Sequence, residues 1–135
     1  LHGSSHVSER IDANGDYDLL EQVSESSMSC VYRGRQRSLS RDVAVKLLKS
    51  SPSKHDEIWR RSIMEAHAIA ALEHPHIVPI YEVGTHEGSP YIVTRWIEGV
   101  TFREAMHHAT PRTIVGWIRD AAQALHFVHR HGIIH

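Results

Sequence analysis

Two charged residues sit where the sequence pattern asks for apolar ones. Lys46 lies inside Val43-Ala44-Val45-Lys46-Leu47-Leu48. That almost continuous apolar run reads as a strand covered on both faces. By strand alternation Lys46 shares a face with Ala44 and Leu48. Glu65 falls on a stripe with Ile58, Ser62, Ile69 and Leu72, whose spacing marks one face of a helix. A buried, unpaired charge is costly, so the economical arrangement brings Lys46 and Glu65 together as one fixed cation beside its carboxylate. The alternative is that Lys46 reaches solvent along its stem and Glu65 sits at the edge of the stripe. The 13 histidines invite a metal reading. His126, His129, His131 and His135 place some pairs at helical spacing, but no Cys or carboxylate cluster supports them, so they read as scattered surface and core residues.

The elements that must position Lys46 and Glu65 follow from pattern. Residues 1–16 are polar and read as a flexible or loosely attached leader. Strands are expected at Tyr17–Val23 and Cys30–Gln36, separated by the polar turn Ser24–Ser29, and at Val43–Leu48 after a hairpin over Arg37–Arg41. A helix is expected over Asp56–Leu72, ended by His74-Pro75-His76 because proline disfavours helix in the residue before it. Ile77–Val83 and Tyr91–Ile97 read as strands joined by a turn containing Gly84, Gly88 and Pro90. Glu98-Gly99-Val100 is a short linker. Thr101 to Glu104 form a capping-box pattern that opens a short helix. Thr110-Pro111 opens another, with Ile114, Ile118, Ala121, Leu125 and Val128 as its apolar stripe. Gly132 closes that helix, and Ile133-Ile134 would open a new strand. The fold class is α+β: a five-stranded antiparallel sheet with one packed helix over residues 17–97, a linker at 98–100, and the first helices of a second, helical part over 101–135.

Composition bounds the partners. The chain has 135 residues, with 15 basic and 16 acidic side chains. There is no bulk electrostatic pull toward nucleic acid or an anionic membrane. The lone cysteine, Cys30, excludes an internal disulfide framework and fits a reducing, cytoplasmic setting. No apolar run approaches the ~20 residues of a membrane helix, and no signal peptide is visible. The chain starts at Leu1 and stops abruptly at His135, and it reads as a fragment.

An ordered series of short motifs resembles the protein kinase domain, with the flavour of bacterial serine/threonine kinases. Ala44-Val45-Lys46 looks like the family's AxK element, and Val31-Tyr32-Arg33 like the end of its phosphate loop. Met64-Glu65-Ala66, followed by Leu72-Glu73-His74-Pro75-His76-Ile77-Val78, resembles the helix-C glutamate and the turn after it. Tyr91 to Gly99 resemble the strand and hinge that hold adenine. Ala124 to His129 and His131 to His135 resemble the approach to the catalytic loop. The resemblance runs from about Tyr17 to His135. It implies a kinase N-lobe, a five-stranded sheet plus helix C, followed by the start of a truncated C-lobe. Lys46 would hold the α- and β-phosphates of ATP and Glu65 would orient it. A compact ammonium suits phosphate oxygens. Val23, Val31 and Ala44 would wall the adenine pocket, Thr94 would be its gatekeeper, and backbone groups of Arg95, Trp96 and Ile97 would bind adenine. Read one at a time, apart from the resemblance, each wall residue is more readily an ordinary core residue.

The phosphate loop departs from the family's GxGxxG. Serine stands at all three glycine positions: Ser24, Ser26 and Ser29. Serine obstructs close backbone approach to phosphate, and a positive φ there would cost roughly 1–2 kcal/mol. Weakened nucleotide binding is therefore expected, relieved by glycine at these positions. The Mg²⁺ ligands and the substrate-positioning aspartate that the resemblance implies lie beyond His135, so this stretch alone is expected to be inactive. The parent would transfer the γ-phosphate of ATP to Ser or Thr of a protein substrate. Two other readings stand beside this one: a pseudokinase used as a binding or scaffold module, and an unrelated α+β adaptor in which the motif order is coincidence.

Overall fold

The computed structural model describes residues 9–11, 15–49 and 56–133. Strands β1 (Glu9–Ile11), β2 (Tyr17–Glu25), β3 (Ser29–Gln36) and β4 (Arg41–Leu48) precede helix α1 (Asp56–Ala70). Strands β5 (Ile80–His86) and β6 (Ser89–Arg95) follow, then helices α2 (Phe102–Met106) and α3 (Pro111–Arg130). The six strands form one sheet in the order β1-β2-β3-β4-β6-β5, antiparallel throughout.

The extra strand is β1. Residues 9–11 pair with Leu19, Asp18 and Tyr17 of β2, so this piece of the expected leader is attached to the sheet edge. The rest of that leader, residues 1–8 and 12–14, lies outside the described residues; of the expected strand start at Ile133-Ile134, Ile133 is in no strand and Ile134 lies outside the described residues.

The fifth and sixth strands are shifted from where the pattern put them. Gly84 belongs to β5 rather than to a turn, and Pro90 belongs to β6. Gly84 sits opposite Tyr91, and a Cβ there would meet the Tyr91 hydroxyl at 2.5 Å. The glycine serves packing. The turn itself is the two residues Glu87 and Gly88, at φ of 51° and 80°. Two positive φ values in a two-residue loop match the twist of the flanking strands.

One face of the sheet holds the core: Tyr17, Leu19, Val43, Val45, Tyr91 and Val93 are all but fully buried. The Tyr17 hydroxyl donates to the Glu82 carboxylate, and Gln36 donates to the Tyr17 oxygen at 3.4 Å. Burial, then the Glu82 carboxylate, push the Tyr17 phenol well above its usual range. The reading of β4 as covered on both faces is corrected. Val43 and Val45 are buried, Ala44 is half-buried, and Lys46 is exposed. Alternation carries Val43 and Val45 into the core, and the other row is open at Ala44 and Lys46 but buried again at Leu48, where the strand is covered on both faces.

Helix α1 packs on β5 and β6. Thr101 caps α2 by accepting from the Glu104 N–H at 3.2 Å. Thr110 caps α3 through the Thr113 N–H at 3.2 Å, with Pro111 in the first turn. Gly132, at φ 80°, follows the end of α3. The expected stripe of α3 is only partly a core face: Val128 is buried with Ala124, whereas Ile118 is 54% and Leu125 45% exposed. Burying that stripe needs a partner surface, and among the described residues none covers it. No helix among the described residues is long and apolar enough to cross a membrane.

Candidate functional site

The open face of the sheet is built in rows. Directly opposed residues on antiparallel strands share a face. Ser24 opposes Val31, Val31 opposes Lys46, and Lys46 opposes Ile92. One row along, Arg33 opposes Ala44 and Ala44 opposes Thr94. The sheet therefore brings Ser24, Val31, Ala44, Lys46 and Thr94 onto one surface, with Lys46 exposed between two aliphatic side chains. Val23 lies at the irregularity between Gln22 and Ser24 and is 44% exposed. β6 ends at Arg95, so the backbones of Trp96 and Ile97 lie beyond the sheet ladder. The Arg95 side chain turns to the Tyr81 hydroxyl, 3.4 Å away.

Glu65 is not joined to Lys46. It is half-buried on α1 and engaged in an interaction of its own, and no ion pair joins it to Lys46 among the described residues. The pairing expected from sequence is absent in this conformation. α1 rests chiefly on β5 and β6, and Lys46 on β4 is exposed to solvent.

The loop between β2 and β3 closes on itself. The Ser26 hydroxyl accepts from the backbone N–H groups of Met28 at 3.3 Å and Ser29 at 3.1 Å. The Ser26 N–H donates to the Ser29 carbonyl at 2.8 Å. Ser24 and Ser29 lie in the strands, so only Ser26 of the three stands at the turn. Among the described residues the non-glycine positive φ values belong to Ser40 and Glu87. The backbone strain expected for serine in this loop does not arise, because the turn needs no left-handed residue. The loop is tied to the end of β4: the Lys49 N–H donates to the Met28 carbonyl at 2.7 Å, and the Lys49 ammonium donates to Glu25 at 2.6 Å. The Lys49 hydrogen bond, helped by Gln22, holds the Glu25 carboxyl below its usual range.

At the opposite end, a charged network borders Ala44 and Thr94. Asp42 accepts from Arg33 at 2.9 Å and from Arg35 at 2.8 Å. Arg33 lies over the Trp96 ring, 5.1 Å from its centroid, and 3.8 Å from Glu98. The Trp96 indole donates to Glu98 at 2.7 Å. The hydrogen bonds from Arg33 and Arg35 hold the Asp42 carboxyl below its ordinary range. Sequence reasoning placed Arg33 and Ile92 inside motifs without giving either a place on this surface, and it did not name Asp42. Alternation from Lys46 and across to the next strand was the signal for Ile92, but the partner assignment requires the strand order.

This geometry has counterparts. Residues 17–135 match the protein kinase domain (Pkinase). The chain belongs to the protein kinase domain family. It is similar to the serine/threonine-protein kinase PknB of Mycolicibacterium smegmatis, 40% identical over 96% of this chain and 21% of that protein. It is similar also to the probable serine/threonine-protein kinase CPE1738 of Clostridium perfringens, 42% identical over 88% of this chain and 18% of that protein. In fold it resembles the kinase domain of PknI from Mycobacterium tuberculosis, at TM-score 0.77 and 24% identity, over 89% of this chain and half of that one. The chain thus spans about a fifth of the length of these curated relatives. The expected kinase N-lobe fold, with the first C-lobe helices behind it, is present.

Proposed function

We propose that the open sheet face binds ATP as the nucleotide-holding part of a serine/threonine protein kinase. The observation that supports this most is Lys46, an exposed cation flanked on that face by Val31, Ala44 and Ile92. Adenine would lie toward Ala44 and Thr94, against Val23 and Val31, with the backbones of Arg95 to Ile97 along its edge. Lys46 would then meet the α- and β-phosphates. Glu65 would act once α1 moves toward β4, orienting the ammonium that now extends freely.

In the whole protein, a Ser or Thr hydroxyl oxygen of a protein substrate would attack the γ-phosphorus. The bond from that phosphorus to the β–γ bridging oxygen breaks, ADP leaves, and the hydroxyl proton passes to a base beyond residue 135. Mg²⁺ would neutralise the phosphates, and its ligands also fall beyond this chain. Titration calorimetry with ADP and Mg-ATP tests the binding reading, and micromolar to millimolar binding that falls in Lys46→Met supports it. Transfer from labelled ATP to a Ser/Thr peptide by the full-length protein tests the activity.

The self-closed loop and the separated Lys46 and Glu65 favour one second reading, a pseudokinase that serves as a binding module. Full-length protein that binds nucleotide yet transfers no phosphate would select it.

A further inference from the structure

The geometry points to Arg33 as the residue that positions the linker against the sheet and so sets how adenine is gripped. This rests on the nucleotide reading of the open face. Three contacts meet on one guanidinium. Asp42 of β4 holds Nη2 at 2.9 Å, Glu98 of the linker approaches Nη1 at 3.8 Å, and the Trp96 ring lies beneath Cζ at 5.1 Å. Trp96 and Glu98 are themselves joined at 2.7 Å, so the linker presents one preassembled surface to Arg33. Arg35, on the same strand, holds the other oxygen of Asp42 at 2.8 Å, which fixes the carboxylate against which Arg33 is oriented.

A planar guanidinium can stack on an indole and bond a carboxylate at once, which an ammonium cannot do equally well. β6 ends at Arg95, so the linker backbone has no ladder to hold it, and Arg33 supplies a tie from the next strands. Arg33 shares a face with Ala44 and Thr94, beside the adenine position, and it acts through the linker rather than by touching phosphate.

The test uses the full-length protein carrying this chain, with adenosine and ADP titrated separately. Arg33→Gln should weaken adenosine and ADP alike, by about 3- to 10-fold. Arg33→Lys should recover only part of the loss. Lys46→Met should weaken ADP alone. Fluorine NMR of 5-fluorotryptophan, with Trp96 assigned through Trp96→Phe, should show the Trp96 signal shifted in Arg33→Gln without any ligand. Loss confined to ADP would make Arg33 a phosphate contact and overturn the proposal. An unmoved Trp96 signal, or unchanged adenosine affinity, would overturn it as well. If the wild type binds neither ligand, the nucleotide reading fails, and the Trp96 signal still decides whether Arg33 holds the linker. Should Arg33→Gln fail to fold, Trp96→Leu breaks the same contact from outside the sheet and must reproduce the adenosine loss.

Discussion

The two ends of the open sheet face are prepared differently. At the linker end, Arg33, Asp42, Trp96 and Glu98 are already joined, and the backbone beyond Arg95 is held in place from the side. At the loop end, the groups that would meet phosphate are unprepared. Lys46 has no ion pair with Glu65, and the N–H groups of Met28 and Ser29 are taken by the Ser26 hydroxyl. On the proposed nucleotide reading, the site is organised for the base before the phosphates. Binding adenine would require little rearrangement, whereas gripping phosphate would require the loop to open and α1 to approach β4. Such a split places the cost of assembly on the reacting end of the ligand.

The contrast between the two ends depends most on Lys46. Lys46→Met should cost ADP about 10- to 100-fold in affinity, the range of a charge-assisted hydrogen bond, and leave adenosine within error. Equal loss of both ligands by calorimetry would erase the distinction between the ends. Ser26→Ala comes next and has the opposite sign. Releasing two N–H groups should tighten ADP by roughly 3- to 30-fold. Glycine at Ser24 and Ser29 should add little, because those residues lie in the strands. If Ser24→Gly helps as much as Ser26→Ala, the self-capping account fails.

A pH series sharpens the linker end. The folded value of Asp42 lies below its ordinary 3.8, so the stabilisation it provides is complete above that ordinary value. It should fade as pH falls through the depressed value. The Trp96 signal should therefore stay native-like at pH 5 and loosen only in strong acid. Loosening already at pH 5 would remove Asp42 from the network. The smallest effect belongs to Glu25→Gln, which removes an exposed pair with Lys49. It should leave the urea midpoint almost unchanged and be further masked by salt.

Much of this was legible in residues with strong local signals. Thr101, Thr110 and Pro111 announced helix starts that the structure shows, since capping is decided within one turn of chain. The Lys46 strand and the Glu65 helix were also readable from periodicity. What escaped the sequence depends on partners distant along the chain. Gly84 looked like a turn residue because its reason, the ring of Tyr91, lies on the neighbouring strand. β4 looked covered on both sides because apolar content does not say which face is open. Arg33 stood in the Val31-Tyr32-Arg33 motif, but nothing local marked its tie to the linker, which exists only once β3, β4 and the linker are side by side. The separation of Lys46 from Glu65 concerns where a helix sits on a sheet, which periodicity leaves undetermined.

The loop after α1 touches α3 away from the linker. His74 stacks on Phe127 with ring centroids 4.9 Å apart, and His76 approaches Asp120 at 3.7 Å. The chain before β5 is thus tied to α3 at a place separate from the tie between Arg33 and the linker. A swing about the line joining the two ties would disturb fewer contacts than a twist across it.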